Sequence, residues 1–409
     1  MEKGKKLIQD LSREEAFFFK NSPDTSTDSK GIWLTKELDI LASEIDHLGV
    51  NEHESKYLKG CTFNIGNVYN PRAEESLIDA AKMNPTMYEI WNELGDCIWK
   101  KGDKKGAKNC FERALSQQKN KVSLRNISIV MRQQDGVTKE QIEESVKISK
   151  EAVSLDVSDG TSWYILGNAY LAKFFLNAQA SNILKCSLSA YEKASKDEKV
   201  LGDPDFYYNK GIVMKYLDLY ADAMTFFKEA LVIHPEFAEC HKELSDLKKQ
   251  LQMTSSLIQN KGKLKAKNIA LMLRKLKEKT LGLNTTLTVI NDFTQLGNGK
   301  NDGKALNCIL ISSVVPNGRT PFVCICLDAE ANCFALNLYN IEASKAPKLA
   351  DVITIPTPHK TDVILDMDNN CQIQFSLIRV EAPMNLLLNN RQLTRDVLAP
   401  LRLTTTALT

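Results

Sequence analysis

A 34-residue period constrains this chain more than any other feature. Tyr57 and Trp91 stand 34 positions apart, and each opens a segment with helical hydrophobic spacing. In "WNELGDCIWKKGDKKGAKNCFERAL", Trp91, Leu94, Gly95 and Ile98 are followed by Gly102, Ala107, Phe111 and Ala114. Small residues at Gly95, Ala107 and Ala114 let two helices approach closely, and the large ones fill the space between them. Such a unit buries its apolar face only against its neighbours, so several must stack.

The order W-x2-L-G-x2-Y and then A-x3-F-x2-A is the tetratricopeptide pattern. It recurs at Tyr57 with Ala73, Leu77, Ala80 and Pro85, and at Tyr207 with Gly211, Met214, Ala223, Phe227, Ala230 and Pro235. Trp163, Leu166, Gly167 and Tyr170 open another repeat, but Ser187, Tyr191 and Ala194 arrive eight residues late. A loop insertion is expected within "FFLNAQASN". "KVSLRNISIVMRQ" falls into register with Leu124 in the Trp91 slot and Ser128 in the Gly95 slot, followed by "KEQIEESVKISKEAVSL" as its partner helix. About five repeats are expected. The amphipathic "LTKELDILASEIDHL" is expected to cap one end, and "FAECHKELSDLKKQL" to close the other as a solvated helix.

At about 100° per residue, one face of each first helix points away from the packing positions. In a tetratricopeptide superhelix that face lines a concave groove. It carries Glu89, Asn92, Asp96 and Trp99, then Arg125, Ile129 and Arg132, then Thr161, Tyr164, Asn168 and Leu171. Asp205, Tyr208, Ile212 and Lys215 follow, with Glu239, Lys242 and Asp246 on the last helix. Arginines in the middle and carboxylates toward the end suit an extended peptide of alternating charge. A guanidinium takes a ligand carboxylate bidentately. Asp205 and Glu239 suit a ligand arginine or free amino group. On this reading both Arg125 and Arg132 face the groove and neither packs in the repeat core; the competing expectation is a solvated face with no tight ligand.

Residues 261–279 hold eight Lys or Arg and one Glu. An apolar stripe of Ile269, Leu273 and Leu276 predicts a helix with a basic lead carrying Lys261, Lys263, Lys265 and Lys267. Clustered lysines favour phosphate contact through counterion release but read no sequence. Beyond this segment the pattern alternates: "LNCILISSVV", "PFVCICLDAEANCFALNLYNI", "DVITIPTPHKTDVIL" and "CQIQFSLIRVE" read as strands. The turn groups "PNGRT", "DAEAN" and "DMDNN" separate them. About five strands suit a small barrel of the OB type. Phe322, Phe334, Tyr339 and Phe375 are candidates for base stacking or for core.

No catalytic or metal-binding pattern stands beside these. The five histidines form no H-E-x-x-H or H-x-x-E-H motif, and the chain shows no P-loop, G-x-G-x-x-G or Ser-His-Asp arrangement. The ten cysteines include no C-x-x-C pair and read as reduced, buried small residues. The expectation is a protein that is not an enzyme and needs no metal or cofactor. No run approaches the roughly 20 apolar residues of a membrane span, and "MEKGKKLIQD" lacks a signal-peptide core. An intracellular protein with no membrane partner is expected. With 53 Lys+Arg against 51 Asp+Glu, net charge selects no partner.

"NKVSLRNISIVMRQ", "DGTSWYILGNAYL" and "KGKLKAKNIALMLRKLK" together resemble the tetratricopeptide repeat protein five (Strap) family. The resemblance implies an all-α tetratricopeptide superhelix followed by an all-β OB-fold barrel. Its expected parts are an N-terminal helical cap over 1–52, repeats with a peptide groove over 53–252, a basic connecting helix over 253–284, the OB fold over 285–392 and a tail over 393–409. It implies a cytoplasmic, ribosome-associated adaptor in tubulin autoregulation. Such an adaptor recognises the N-terminal Met-Arg-Glu motif of nascent alpha- and beta-tubulin and directs decay of the translating mRNA through a further adaptor and a deadenylase. The family's groove arginine falls on Arg132, its acidic residues on Asp205 and Glu239, and its ribosome-facing lysines on Lys265 and Lys267. Arg125, Asn168 and Tyr208 would line the same peptide site, and Lys261 and Lys263 would join the contact with ribosomal RNA phosphates and proteins near the exit tunnel. Arg125 stands where the family commonly has an uncharged amide, and Lys210 in a usually apolar packing slot. An alternative implied role is a stress-responsive nuclear cofactor for a histone acetyltransferase coactivator and a tumour-suppressor transcription factor. A third reading is a nucleic-acid-binding OB protein.

Overall fold

The computed structural model describes residues 1–22, 27–134, 136–176, 179–280, 286–314, 320–367 and 371–399. Helices α1 (Glu2–Ala16), α2 (Phe18–Asn21) and α3 (Thr27–Asp46) precede the array. Helix pairs follow: α4 (Glu52–Phe63) with α5 (Pro71–Met83), α6 (Tyr88–Lys100) with α7 (Lys104–Gln117), and α8 (Lys121–Arg132) with α9 (Lys139–Leu155). Next come α10 (Gly160–Leu176) with α11 (Ser181–Ala194), the one-turn α12 (Glu198–Leu201), and α13 (Pro204–Tyr216) with α14 (Tyr220–Ile233). Then α15 (Ala238–Gln259), a tight turn at Lys261–Lys263 and α16 (Ala266–Thr280) lead to a sheet.

Local chemistry sets the helix starts. Asn70, Asp103, Asn120, Thr138 and Asp203 each accept a backbone N–H in the first turn of the helix they precede, and Pro71 and Pro204 begin α5 and α13. Within a pair, close approach depends on the missing side chain of glycine. A Cβ on Gly95 would lie 2.5 Å from the Phe111 ring, and one on Gly167 2.2 Å from the Tyr191 ring. The third pair solves the same problem differently. Ser128 fills the glycine slot, and its Oγ lies 2.9 Å from Ser145 Oγ and 2.7 Å from Ser149 Oγ.

Lys210, in its unusual packing slot, keeps Nζ 4.3 Å from the Phe226 ring centroid, so a cation–π contact replaces the apolar one. The insertion expected as a loop in "FFLNAQASN" is mostly helix. α10 has 17 residues against 13 in α6, and its extra turn buries Phe174, Phe175 and Leu176. Positions 177–178 lie outside the described residues.

α15 is not the solvated cap that its charge pattern predicts. It buries Cys240, Leu244, Leu247, Leu251 and Leu257, and it packs on strands Phe322–Leu327, Cys333–Leu338 and Cys371–Val380. The expected boundary at 252 therefore falls inside a helix, and the expected connecting helix over 253–284 is the end of α15, a turn and α16.

In the sheet, strand Lys304–Ser313 lies between Val352–Pro356 and Phe322–Leu327, with a bulge between Leu310 and Ser312. Cys333–Leu338 pairs antiparallel with Phe322–Leu327 and parallel with Cys371–Val380, which forms a hairpin with His359–Met367. Both faces of the three strands Lys304–Ser313, Phe322–Leu327 and Cys333–Leu338 are covered, which explains why they read as almost continuous apolar runs, whereas His359–Met367 alternates buried and exposed residues. Leu306, Cys308, Leu310, Cys324, Cys326 and Phe334 point into the core of the sheet unit. Ile309, Ile311, Val323, Ile325, Tyr339 and Phe375 point to the helices and share one core with α13, α14, α15 and Leu276 of α16. The expected tail begins too early: Val397 is buried and Leu398 bridges Ile341. Residues 400–409, with most of "PNGRT" and part of "DMDNN", lie outside the described residues.

Candidate peptide-binding groove and basic segment

Arg132 closes α8, but its side chain does not lie open on a groove face. It is only 2% exposed. Its Nη1 donates to Ser128 O at 3.2 Å, Ser128 Oγ at 2.6 Å and Ser145 Oγ at 3.0 Å. The cause is the serine packing of the third pair: without an aromatic plug between α8 and α9, hydroxyls receive the guanidinium. The expectation that Arg132 stands clear of the repeat core is therefore corrected. Burial pushes its pKa down to about 10, so it stays charged at neutral pH. Among the described residues no carboxylate pairs with it, and its buried Nε has no hydrogen-bond partner.

Arg125 is committed elsewhere. Its Nη1 lies 3.2 Å from Asp159 Oδ2, while Lys121 Nζ lies 3.1 Å from Asp159 Oδ1. It ties the third repeat to the start of α10, and this corrects its reading as a second groove cation for the ligand.

A hydrogen-bonded polar cluster lies between Arg132 and the carboxylates and is linked to both by charge alone. Arg132 lies within electrostatic reach of Tyr191 and Tyr164. Tyr191 donates its hydroxyl proton to Asn168 Oδ1 at 2.6 Å, and Asn209 Nδ2 donates to Tyr164 Oη at 3.1 Å and approaches Asn168 Oδ1 at 3.5 Å. Tyr164 in turn feels the charges of Asp203 and Asp205. Asn168, Tyr164 and Asn209 are all buried. Tyr208 is also buried, packs on Phe227 and Phe237, and its Oη has no described partner.

Asp205 sits in the first turn of α13, with its backbone N–H donating to Asp203 Oδ1 at 2.9 Å. Burial raises both carboxyl pKa values; the Asp205 charge raises Asp203 further, whereas His234 pulls Asp205 down and Glu239 pushes it up. Glu239 is exposed at the start of α15. The candidate site thus has at one end a buried cation that pairs with no carboxylate among the described residues, and at the other a set of carboxylates. Sequence reasoning missed Asp203 and Asn209, whose positions lie off the groove stripe, and Tyr191, whose spacing marks it only as packing. The serines around Arg132 left one signal: a serine in the glycine slot.

The basic segment is separate. Lys261, Lys263, Lys265 and Lys267 are all exposed, and none forms an ion pair with a described residue. Lys261, Gly262 and Lys263 have φ of 46°, 66° and 58°, a left-handed run that breaks the expected helical lead. A Cβ on Gly262 would lie 3.1 Å from Ile311 Cδ1, so the turn sits directly against the sheet. Of the four candidate stacking aromatics, Phe334, Tyr339 and Phe375 are buried and Phe322 is half-buried.

A helical-repeat array packed against a β-sheet defines a scaffold of the protein-interaction class. Residues 88–121 match the tetratricopeptide repeat model, and residues 288–402 match the model described as Tetratricopeptide repeat protein 5 OB fold domain. The chain is 34% identical over 351 residues to human Tetratricopeptide repeat protein 5, covering 82% of this chain and 79% of the relative. It is 34% identical over 356 residues to the mouse protein, covering 83% and 81%. The chain belongs to the tetratricopeptide repeat protein 5 family: a tetratricopeptide superhelix followed by an OB fold. Among solved structures it is similar to the APC/C hetero-tetramer Cut9-Hcn1, at 12% identity and TM-score 0.43, covering 59% of this chain and 46% of that one.

Proposed function

We propose that this protein is a ribosome-associated cytoplasmic adaptor that reads the N-terminal Met-Arg-Glu motif of nascent tubulin and triggers decay of the tubulin mRNA being translated. The observation that carries the reading is the buried guanidinium of Arg132, which pairs with no carboxylate among the described residues and lies within electrostatic reach of Tyr164, which in turn feels the charges of Asp203 and Asp205. A buried charge with no counter-ion costs several kcal/mol. A ligand carboxylate removes that cost, and the motif's arginine is complementary to the carboxylates. The exposed lysines of the 261–267 segment supply phosphate contacts at the ribosome, and further adaptor and deadenylase partners complete the pathway.

The test is capture of stalled ribosomes bearing tubulin chains. The purified protein should retain ribosomes displaying Met-Arg-Glu and release those in which the Glu is Gln. Equal capture of ribosomes carrying unrelated chains would remove the reading.

A further inference from the structure

Strand Lys304–Ser313 outruns one of its two neighbours. On the side of Phe322–Leu327 it stays paired to its end: Ser313 stands opposite Cys324, and Val314 donates to Val323 O at 2.8 Å. On the side of Val352–Pro356 the ladder reaches only Ile309. The last bonds there are Leu310 N–H to Asp351 O and Ala350 N–H to Leu310 O, both at 2.9 Å. Among the described residues, Ile311, Ser312 and Ser313 therefore have a strand on one side only. The bulge between Leu310 and Ser312 falls at this point, and bulges commonly end pairing or re-aim a strand beside a site.

A cleft of about 590 Å³ opens along this bare edge, within the range of ligand sites. Ser312 and Ser313 run along it, and Leu264, Phe322, Pro347 and Leu349 give it apolar walls. Leu264 and Phe322 are half-buried, and Leu349 is 60% exposed. Its charge is of one sign. Lys348 lines the cleft, Lys263 stands between the lining residues Gly262 and Leu264, and both lysines are exposed. Among the described residues no Asp or Glu lines it. The carboxylates nearest in the chain are engaged. Asp351 accepts from the Lys348 N–H and from Asn389 Nδ2, both at 2.8 Å, and Glu342 lies 3.9 Å from Lys345 Nζ.

We propose that this cleft docks an extended acidic segment of a partner protein, laid along Ile311–Ser313 with one apolar side chain against Phe322 and Leu349. A strand edge supplies main-chain hydrogen bonds, and a pocket beside it selects the side chain. The lysines attract carboxylates on either side of that residue. A protein segment suits the cleft better than a nucleic acid does. Single strands are held on successive stacking platforms, and among the described residues Phe322 is the one aromatic in the lining. The chain's own last residues, "LRLTTTALT", carry one cation and no carboxylate, so their charge has the wrong sign. The cleft shares no residue with the candidate groove, and its occupation does not depend on what the groove binds.

The experiment pans a phage-displayed library of short random peptides on the immobilised full chain. Selected sequences should carry an apolar residue flanked by Asp or Glu. The tightest of them, labelled and titrated, should lose at least about tenfold in affinity in Leu349→Asp and about threefold in Lys348→Glu. Both side chains are exposed, so both variants should melt with the unmodified protein. The peptide should also slow hydrogen exchange over residues 311–313, a readout that needs no variant. Selections that are basic or uncharged, or that return no sequence, overturn the proposal. So does an affinity that neither variant changes, or an exchange footprint elsewhere on the chain. Displacement of the selected peptide by oligo-uridylate would make the cleft a single-strand site. Displacement by a synthetic peptide of residues 400–409 would make it a seat for the chain's own end, and a dimer that Leu349→Asp dissolves would make it a contact between copies. Each of these three outcomes also overturns the proposal.

Discussion

The Asp218 carboxylate and the Arg379 guanidinium meet 2.6 Å apart across the junction of the helical array and the OB fold. Asp218 sits in the turn between α13 and α14, with φ of 63°, and Arg379 comes from strand Cys371–Val380. Their side chains are 3% and 7% exposed. Asn337, Tyr339 and Tyr220 donate to Asp218 Oδ1 at 2.8, 2.9 and 3.0 Å, and Arg379 also donates to Tyr216 O at 2.8 Å. The pair spans 161 positions of sequence, yet it closes a shared core.

Arg379→Ala strands the Asp218 carboxylate in that core. Breaking a buried pair this way should cost about 3–5 kcal/mol. Asp218→Leu combined with Arg379→Met should cost less than the sum of the single changes, since neither charge is left alone. Denaturant unfolding checks both. Additive losses would mean that the two residues stabilise their own units separately.

The OB fold supplies a second test. Phe334 is fully buried and stacks near Phe293, with ring centroids 4.9 Å apart. Phe334→Ala should cost about 3–5 kcal/mol as a core truncation. Phe322→Ala should cost less, because Phe322 is half-buried. A thermally intact Phe322 or Phe334 variant that loses single-strand binding would instead reveal a stacking platform.

The repeat register and the OB fold were legible because each follows from local spacing. Gly95 and Phe111, or Val323 to Leu327, carry their partners' geometry in their own period. What sequence did not reveal arises from distant packing. Near Arg132 only Ser128, in the glycine slot, hints at its packing; its burial depends on Ser145 and Ser149 from another helix. Nothing near Arg125 names Asp159 as its partner. α15 looks solvated by composition, and only the sheet placed against it explains Leu247 and Leu251. Asp218 and Arg379 are both unremarkable in sequence.

Lys265→Glu with Lys267→Glu should weaken ribosome co-sedimentation and leave peptide binding in the groove intact. Binding by the unmodified protein should fall steeply as salt rises, because each phosphate contact releases counterions. Salt-insensitive co-sedimentation would count against phosphate contact.

The carboxylates give a pH signature. Burial raises the pKa values of Asp203 and Asp205 above the ordinary carboxylate range, helped at Asp203 by the Asp205 charge and at Asp205 by Glu239. A cationic ligand favours their charged forms, so binding releases protons. Affinity for an arginine-bearing peptide should rise with pH up to those raised values and level off above them. The linked effect on stability has the opposite sign. The unliganded fold should lose stability as pH rises from the unfolded carboxylate value through the raised one. Asn at both positions should flatten both profiles. A peptide titration with an unchanged pH profile in that variant would assign the dependence to other groups.

Arg132 separates a binding role from a structural one. Its guanidinium is buried with no counter-ion among the described residues, so the unliganded fold carries a desolvation cost that the serine hydroxyls only partly offset. Replacing a poorly compensated buried charge by an apolar side chain of similar length is often neutral or stabilising. Arg132→Met should therefore leave the melting temperature unchanged or raise it, while peptide affinity falls by a charge-assisted pair, about 1.5–3 kcal/mol or ten- to a hundredfold. Changing the peptide Glu to Gln should cost the unmodified protein heavily and the Arg132→Met variant little. A double-mutant cycle over the two measures their coupling directly. If Arg132→Met unfolds the third repeat, or if the two losses add, the guanidinium serves the Ser128–Ser145–Ser149 packing rather than a ligand carboxylate.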